Sequence, residues 1–387
     1  MRVLMISTRI PYPLTAGFRI RIYNEAKYLK KNGHIVDLIY FSKEKESKEY
    51  KEKLEEIFTE IHNVHLNKIE SLVHILRKSI FGKLPFQVSL YLNKRMDEMI
   101  QQIAPKYDVI IGNHIRSAEY LKKLPQKKII LDYHDAISYN YGRIPEKGIK
   151  KLFYDFEGIR VLKYEVECSK LFEKCVIISE NDKEYLVQHG AENNNIYIIP
   201  VAVRDDITNK KTTYESDEEA ICFLGKMNYQ PNEDAVIWFS QKIFQMLKSK
   251  YQDLKFYIIG TNPTEKVKNL ENEDGVIVTG YIENPYEIVR KCKAMVVPIR
   301  NGAGMQNKIL ESMVVGTPTV ISPIAAEGLA GEPGVHYLVT DTYEKEISEL
   351  LESVELRQQI GKDSQRLVND NYTWEKLTTS WEKLITE

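Results

Sequence analysis

Short apolar runs recur along this chain. Each ends in a polar or glycine-bearing turn and gives way to a helical stretch, and this alternation constrains the fold more than any other feature. Arg2 to Ser7 reads as a buried strand, and the loop Thr8 to Phe18 carries Pro11, Pro13 and Gly17. A helical pattern from about Arg19 to Lys31 stops at Asn32-Gly33, and Ile35 to Phe41 is the next strand. A strand, a helix and a second strand in this order imply a parallel sheet. The first loop has no G-x-G-x-x-G, which argues against a dinucleotide site there.

The pattern continues. Residues 43–60 read as an exposed Lys- and Glu-rich helix, and 70–104 as mostly helical with a break at Pro85. Asp108 to Gly112, Lys128 to Asp132, Cys175 to Ser179 and Ile196 to Pro200 are short buried strands. Two of them end beside a histidine, Asn113-His114 and Tyr133-His134-Asp135, at the sheet edge where open α/β sheets bind ligands. A loop histidine with a purely structural role fits the same pattern. Residues 145–173 read as an amphipathic helix that either covers the sheet or touches a membrane. Asp205 to Glu219 is polar and aperiodic, the expected interdomain link. A second alternation follows, with strands at Ala220 to Leu224, Leu254 to Gly260, Val276 to Tyr281, Ala294 to Ile299, Thr319 to Ser322 and Val335 to Val339. The tail, Asn371 to Glu387, carries Trp374 and Trp381 on one face of a docking helix.

Within the second alternation, Pro298 to Pro318 stands out. Gly302-Ala303-Gly304 opens a helical pattern that stops at Gly316, with Ile309, Leu310, Met313 and Val314 apolar and Lys308 and Glu311 on the opposite face. A glycine turn, a helix N-terminus and a lysine in one place suit a phosphate or pyrophosphate. Glu311, one turn on, suits ribose hydroxyls. A glycine-rich connection with a solvated lysine and glutamate explains the same residues.

The length of 387 residues exceeds one hydrophobic core, so two domains are expected. No apolar run approaches the roughly 20 residues of a membrane-spanning helix, and the N-terminus is too short and strand-like for a signal peptide. The four cysteines lie far apart without a C-x-x-C pair and read as reduced thiols of a cytoplasmic protein. Residues 1–200 hold 33 Lys and Arg against 26 Asp and Glu, and the remainder 21 against 29. A basic first half suits a membrane surface, such as the inner face of the cell membrane, or a lipid-phosphate acceptor, and scattered surface charge accounts for it equally. A nucleic-acid partner is not expected.

The motifs FLGKMNYQPNEDAVIWF, FYIIGTNP, VIVTGYIENPYEIV and PIRNGAGMQNKILESMVVGTPTVISPIAAEGL, in this order, resemble glycosyltransferase family 4, and among its members the bacterial sugar transferases of exopolysaccharide systems. TRIPYPLTAGFRIRIYNEAKYL is similar to that family's first loop and helix, and Asp132, Asp135 and Ser138 match its D-x-x-D-x-x-S pattern. The resemblance implies an α/β protein of the GT-B fold. Two Rossmann-like doubly wound domains would face a cleft, with the C-terminal helix crossing back to the N-terminal domain. Residues 1–204 and 373–387 would form the acceptor-binding domain, and 205–372 the nucleotide-sugar-binding domain.

What the family implies is a retaining, hexosyltransferase-like activity on a glycan or lipid-linked acceptor. The nucleotide sugar is the substrate, and neither a cofactor nor a metal is expected, since no D-x-D motif is present. Carried over by position, Gly225 and Lys226 lie near the donor diphosphate, Thr279, Gly280 and Tyr281 frame the nucleobase, and Glu311 holds the ribose. Gly302, Gly304, Met305, Gln306, Asn307 and Lys308 complete the donor site. His114, with His134 in reserve, serves the transfer alongside Lys226 and Lys308, and Gly17 and Arg19 face the acceptor. Two positions depart from the family. Ala303 stands where the first glutamate of Glu-x7-Glu belongs, and Asn232 lies near a missing lysine. The first departure leaves a catalytically inactive, sugar-nucleotide-binding or partner-stabilising relative as the alternative. A 2-epimerase of the same fold would need paired carboxylates that these motifs do not resemble.

Overall fold

The computed structural model describes residues 1–42, 47–124, 128–144, 147–208, 218–301 and 305–387. The chain divides into two compact units, residues 1–201 with 374–387, and residues 202–373.

Unit 1 carries β1 (Arg2–Ser7), β2 (Ile35–Ser42), β3 (Ile61–His65), β4 (Val109–Asn113), β5 (Lys128–His134), β6 (Lys174–Ile177) and β7 (Ile196–Ile198). They form one parallel sheet in the order β3-β2-β1-β4-β5-β6-β7. Helices cover both faces, so the central strands are buried along most of their length and largely apolar, and β4 is buried at every position. The edge strand β3 is different. Only Val64 of its five residues is buried, so its sequence, IHNVH, shows too little apolar signal to read as a strand.

Unit 2 repeats the plan with β8 (Ala220–Leu224), β9 (Lys255–Ile259), β10 (Val276–Gly280), β11 (Ala294–Val297), β12 (Thr319–Ile321) and β13 (Leu338–Val339), in the order β10-β9-β8-β11-β12-β13. Each unit reverses its strand order once, between β1 and β4 in unit 1 and between β8 and β11 in unit 2. The loops leaving such a pair splay apart to opposite faces and open a crevice at the carboxyl edge. These two crevices position everything that follows.

The C-terminal helix Trp374–Thr386 belongs to unit 1. Trp374 and Trp381 are both buried, and Trp374 stacks on Tyr28 with ring centroids 6.2 Å apart. His34 Nε2 lies 2.9 Å from Glu382 Oε2. Lys174 and Lys128 donate to the carbonyls of Leu384 and Ile385 at 2.7 and 3.0 Å, which supplies cations to the negative end of the helix dipole. The expected link shows a short helix, Asp205–Thr208; residues 209–217 lie outside the described residues. Among the described residues, no helix is long and apolar enough to cross a membrane.

Candidate functional site

In unit 1, the loops after β1 and β4 meet at the crevice. Phe18, on the second residue of the helix Gly17–Lys31, sets its ring edge-on to His114 at 5.9 Å. The Arg9 and Arg19 guanidinium groups lie 5.5 and 5.7 Å from the Phe18 ring. His114 and His134 end adjacent strands and stack at 4.1 Å with an interplanar angle of 21°. Their backbones hold φ of 63° and 66°, the left-handed region that a side chain occupies only when its surroundings enforce it. At His134 the enforcing element is a shift in the β5–β6 register between Asp132 and His134, which re-aims the end of the strand.

A polar base holds these rings. His134 Nε2 lies 3.3 Å from Asp132 Oδ2 and 3.4 Å from Asn113 Oδ1. Asp132 also accepts from the Arg21 Nε at 2.9 Å, and Arg21 donates on to the carbonyls of Ile199 and Pro200. Burial pushes both imidazoles well below the ordinary histidine range, aided at His114 by the neighbouring His134 and at His134 by Arg21. Both are therefore neutral near pH 7, and a neutral imidazole keeps one ring nitrogen able to accept a hydrogen bond. His114 Nδ1 is buried without a hydrogen-bond partner. Gly17 is exposed, and Arg19 donates to Pro13 O at 3.2 Å. In the D-x-x-D-x-x-S pattern, Ser138 donates to Glu165 and Asp135 accepts from Asn140 at 2.8 Å, so those two side chains brace the loop after β5.

In unit 2, the helix Asn307–Val314 follows β11, and its first turn faces the loop after β8. Lys308 is only 9% exposed, which corrects the picture of a solvated lysine. Its Nζ donates to Asn232 Oδ1 and sits 4.6 Å from the Phe223 ring centroid. Asn232 in turn donates to Lys226 O at 2.9 Å. Burial drives the Lys308 amine down to about 7, opposed by the nearby Glu311 carboxylate. Gln306 precedes the helix and makes no side-chain cap, so none of the first-turn amides is taken by its own side chain. The strand ends here pack tightly: a Cβ on Gly260 would lie 1.7 Å from Gly225 O, and one on Gly225 would lie 2.7 Å from Asn232 Nδ2.

Glu311 is half-buried and hydrogen-bonded to Tyr286, with Arg204 nearby. Burial raises its carboxyl above the usual range, while Arg204, Tyr286 and Lys308 pull it back. Beside it opens a cavity of about 500 Å³ lined by Arg204, Asp206, Ile282, Tyr286 and Arg290 among others. Thr279 and Gly280 close β10, and the Thr279 hydroxyl donates to Gly280 O at 3.1 Å. Tyr281 and Lys226 are exposed, and Met305, Gln306 and Asn307 are half-buried. Gly302, Ala303 and Gly304 lie outside the described residues.

The crevice of unit 1 thus gathers Gly17, Arg19, His114 and His134, and that of unit 2 gathers Gly225, Lys226, Lys308 and Glu311. Sequence reasoning gave no role to Phe18, Arg204 and Tyr286, and placed Arg21 and Asn113 only as neighbours of Gly17 and His114. Phe18, Arg21 and Tyr286 lie inside the quoted motifs, but each of these residues acts through a partner distant in the chain, which no local pattern reports. Among the described residues, no group of three or more His, Cys, Asp or Glu is placed to hold a metal ion.

Two parallel-sheet units of this topology, each with its polar residues at the strand-order reversal, define a GT-B glycosyltransferase fold. Residues 16–206 match the family model described as Glycosyltransferase Family 4, and residues 218–354 the model described as Glycosyl transferases group 1. The chain belongs to this glycosyltransferase family. An uncharacterized 44.6 kDa protein in the cps region of Klebsiella pneumoniae is 22% identical over 397 residues, covering 98% of each chain. Among solved structures, Anabaena HepE in complex with UDP and glucose superposes with a TM-score of 0.68 at 13% identity, covering 100% of this chain and 99% of that one. A mutant of S. aureus TarM in complex with fondaparinux, alpha-GlcNAc-glycerol and UDP gives 0.68 at 12%, covering 100% of both.

Proposed function

We propose that this chain is a retaining glycosyltransferase. It moves a sugar, of the hexose class, from a nucleotide-sugar donor to a glycan or lipid-linked acceptor in the synthesis of a bacterial surface polysaccharide. The observation that carries the reading is the buried Lys308 at a helix N-terminus, joined through Asn232 to the loop of Gly225 and Lys226. A buried cation without a carboxylate in hydrogen-bond contact is costly, and a bound diphosphate would supply the missing charge. The cps-region relative and the UDP-bound neighbours are consistent with this class of substrate.

In the reaction, unit 2 holds the donor. Lys308, Lys226 and the amides at Met305 and Gln306 receive the charge that builds on the leaving diphosphate. Glu311 accepts hydrogen bonds from the ribose hydroxyls, with the segment Thr279-Gly280-Tyr281 along the nucleobase. Unit 1 presents the acceptor, with Gly17 and Arg19 on it and the neutral His114–His134 pair towards its hydroxyl. The bond from the anomeric carbon to the diphosphate oxygen breaks, and the acceptor oxygen bonds on the same face. The hydroxyl proton passes to the departing phosphate, and no covalent enzyme intermediate forms. The reaction requires no metal.

The test is release of nucleoside diphosphate from a panel of nucleotide sugars by wild type and Lys308→Ala. Release from one donor, lost in the variant, supports the reading. A donor that binds without release, even with bacterial lipid extract present, favours an inactive relative.

A further inference from the structure

Two helical segments of unit 1 turn apolar side chains outwards. The segment Lys68–Ile80, a helix that widens over its last turn, exposes Ile69, Leu72, Leu76 and Ile80, with Phe81 following at 84% exposure. The helix Ile149–Leu171 exposes Ile149 (86%), Leu152 (70%), Phe156 and Ile159. In each, the spacing of three and four residues makes one stripe, the pattern of a helix with an apolar partner. That partner is not the sheet. The long helix turns Val161, Tyr164 and Cys168 inwards instead, so it carries apolar residues on two sides.

The two segments lie side by side. Arg160 donates to Ser79 O at 2.8 Å and also to Leu84 O, and the Phe86 and Phe153 rings meet at 5.4 Å. The stripes therefore belong to one surface. Around it, Lys68, Arg77, Lys78, Lys83, Lys147 and Lys163 are all exposed. The five acidic residues of the two segments are engaged or buried: Glu70 with Asn93 and the Lys94 amide, Asp155 with Lys151, Glu167, itself exposed, with Lys122, and Glu157 and Glu165 inside. An apolar stripe rimmed by cations is the composition of a surface that lies in the headgroup region of an anionic bilayer.

We propose that this face docks unit 1 onto an anionic lipid surface, with Leu72, Phe81, Ile149 and Leu152 entering the acyl boundary and the flanking lysines meeting lipid phosphates. Charge selects this occupant over a second copy of the chain. A two-fold contact would press the same positive rim against itself. The proposal is independent of the transferase reading, because lipid binding needs neither donor nor acceptor.

The experiment is flotation of the full chain with vesicles of phosphatidylcholine alone or mixed with phosphatidylglycerol, at low and high salt. Wild type floats with the mixed vesicles, and binding weakens as salt rises. Phe81→Glu with Leu152→Glu lowers the bound fraction by about tenfold or more. Arg77→Glu with Lys78→Glu removes the preference for the anionic lipid. The unfolding temperature and the far-ultraviolet circular dichroism show that each variant is folded. Wild type that floats with neither vesicle overturns the proposal. So does a dimer in solution that dissociates in the Phe81→Glu, Leu152→Glu variant, since that assigns the face to a second copy.

Discussion

Lys308 links the buried chemistry of unit 2 to a measurable pH dependence. Its amine is lowered to about 7 because burial disfavours the charge. Measured from the ordinary value of 10.5, that is a penalty on the order of 5 kcal/mol for holding the proton, at about 1.4 kcal/mol per pKa unit. A diphosphate beside Nζ returns part of this energy and raises the amine again. The sign follows: the complex holds a proton that the free protein sheds above pH 7, so binding takes up a proton and weakens as pH rises through 7. Affinity for the tightest-binding nucleoside diphosphate should fall by about tenfold per pH unit above 7 until the pKa of the complex is reached, an overall loss of roughly a hundredfold by pH 9. The ligand's own terminal phosphate titrates near 6, below this window. Titration calorimetry in two buffers of different ionisation enthalpy reads the proton directly. Lys308→Met should bind more weakly and show no slope. A wild-type affinity that stays level between about pH 7 and 9, with no proton taken up, would refute the reasoning.

Further outcomes follow from the same geometry. His114→Ala and His134→Ala should each lower kcat by about a hundredfold or more while leaving nucleoside diphosphate affinity within about twofold, separable by steady-state kinetics and calorimetry. Asp132→Asn removes one of the two buried carboxylates at Arg21, leaving Glu25 at 2.9 Å, and should cost about 3 kcal/mol, read from chemical denaturation. Gly260→Ala drives a Cβ into Gly225 O and should lower the unfolding temperature more than any other single change suggested here. A chelator should leave turnover unchanged within about twofold.

Much of the fold was legible because parallel strands buried on both faces are continuous apolar runs. VLMIS, VIIGN and AICFL announce β1, β4 and β8 without help from the rest of the chain. IHNVH did not, since an edge strand half in water carries little such signal. The placing of His114 and His134 at the carboxyl edge followed from the ends of their strands. Their stacking did not, because it depends on the β4–β5 register and on a one-residue shift against β6. Lys308 stood out as a candidate phosphate ligand from the helix it begins. Its burial depends on Asn232 and Phe223, more than seventy residues earlier, and no local pattern reports that. The long helix at 149 read as amphipathic, yet it is apolar on two sides, because one stripe serves the sheet and the other faces outwards.

The measurement that tests the central claim most directly is transfer of a radiolabelled sugar from the panel of nucleotide sugars into a bacterial lipid extract. Wild type and Lys308→Ala are compared, and the anomeric configuration of the product is read by nuclear magnetic resonance. The account predicts one donor turned over, product of retained configuration, and loss of both release and transfer in the variant. A donor that binds tightly but yields no product, or a product of inverted configuration, would contradict it.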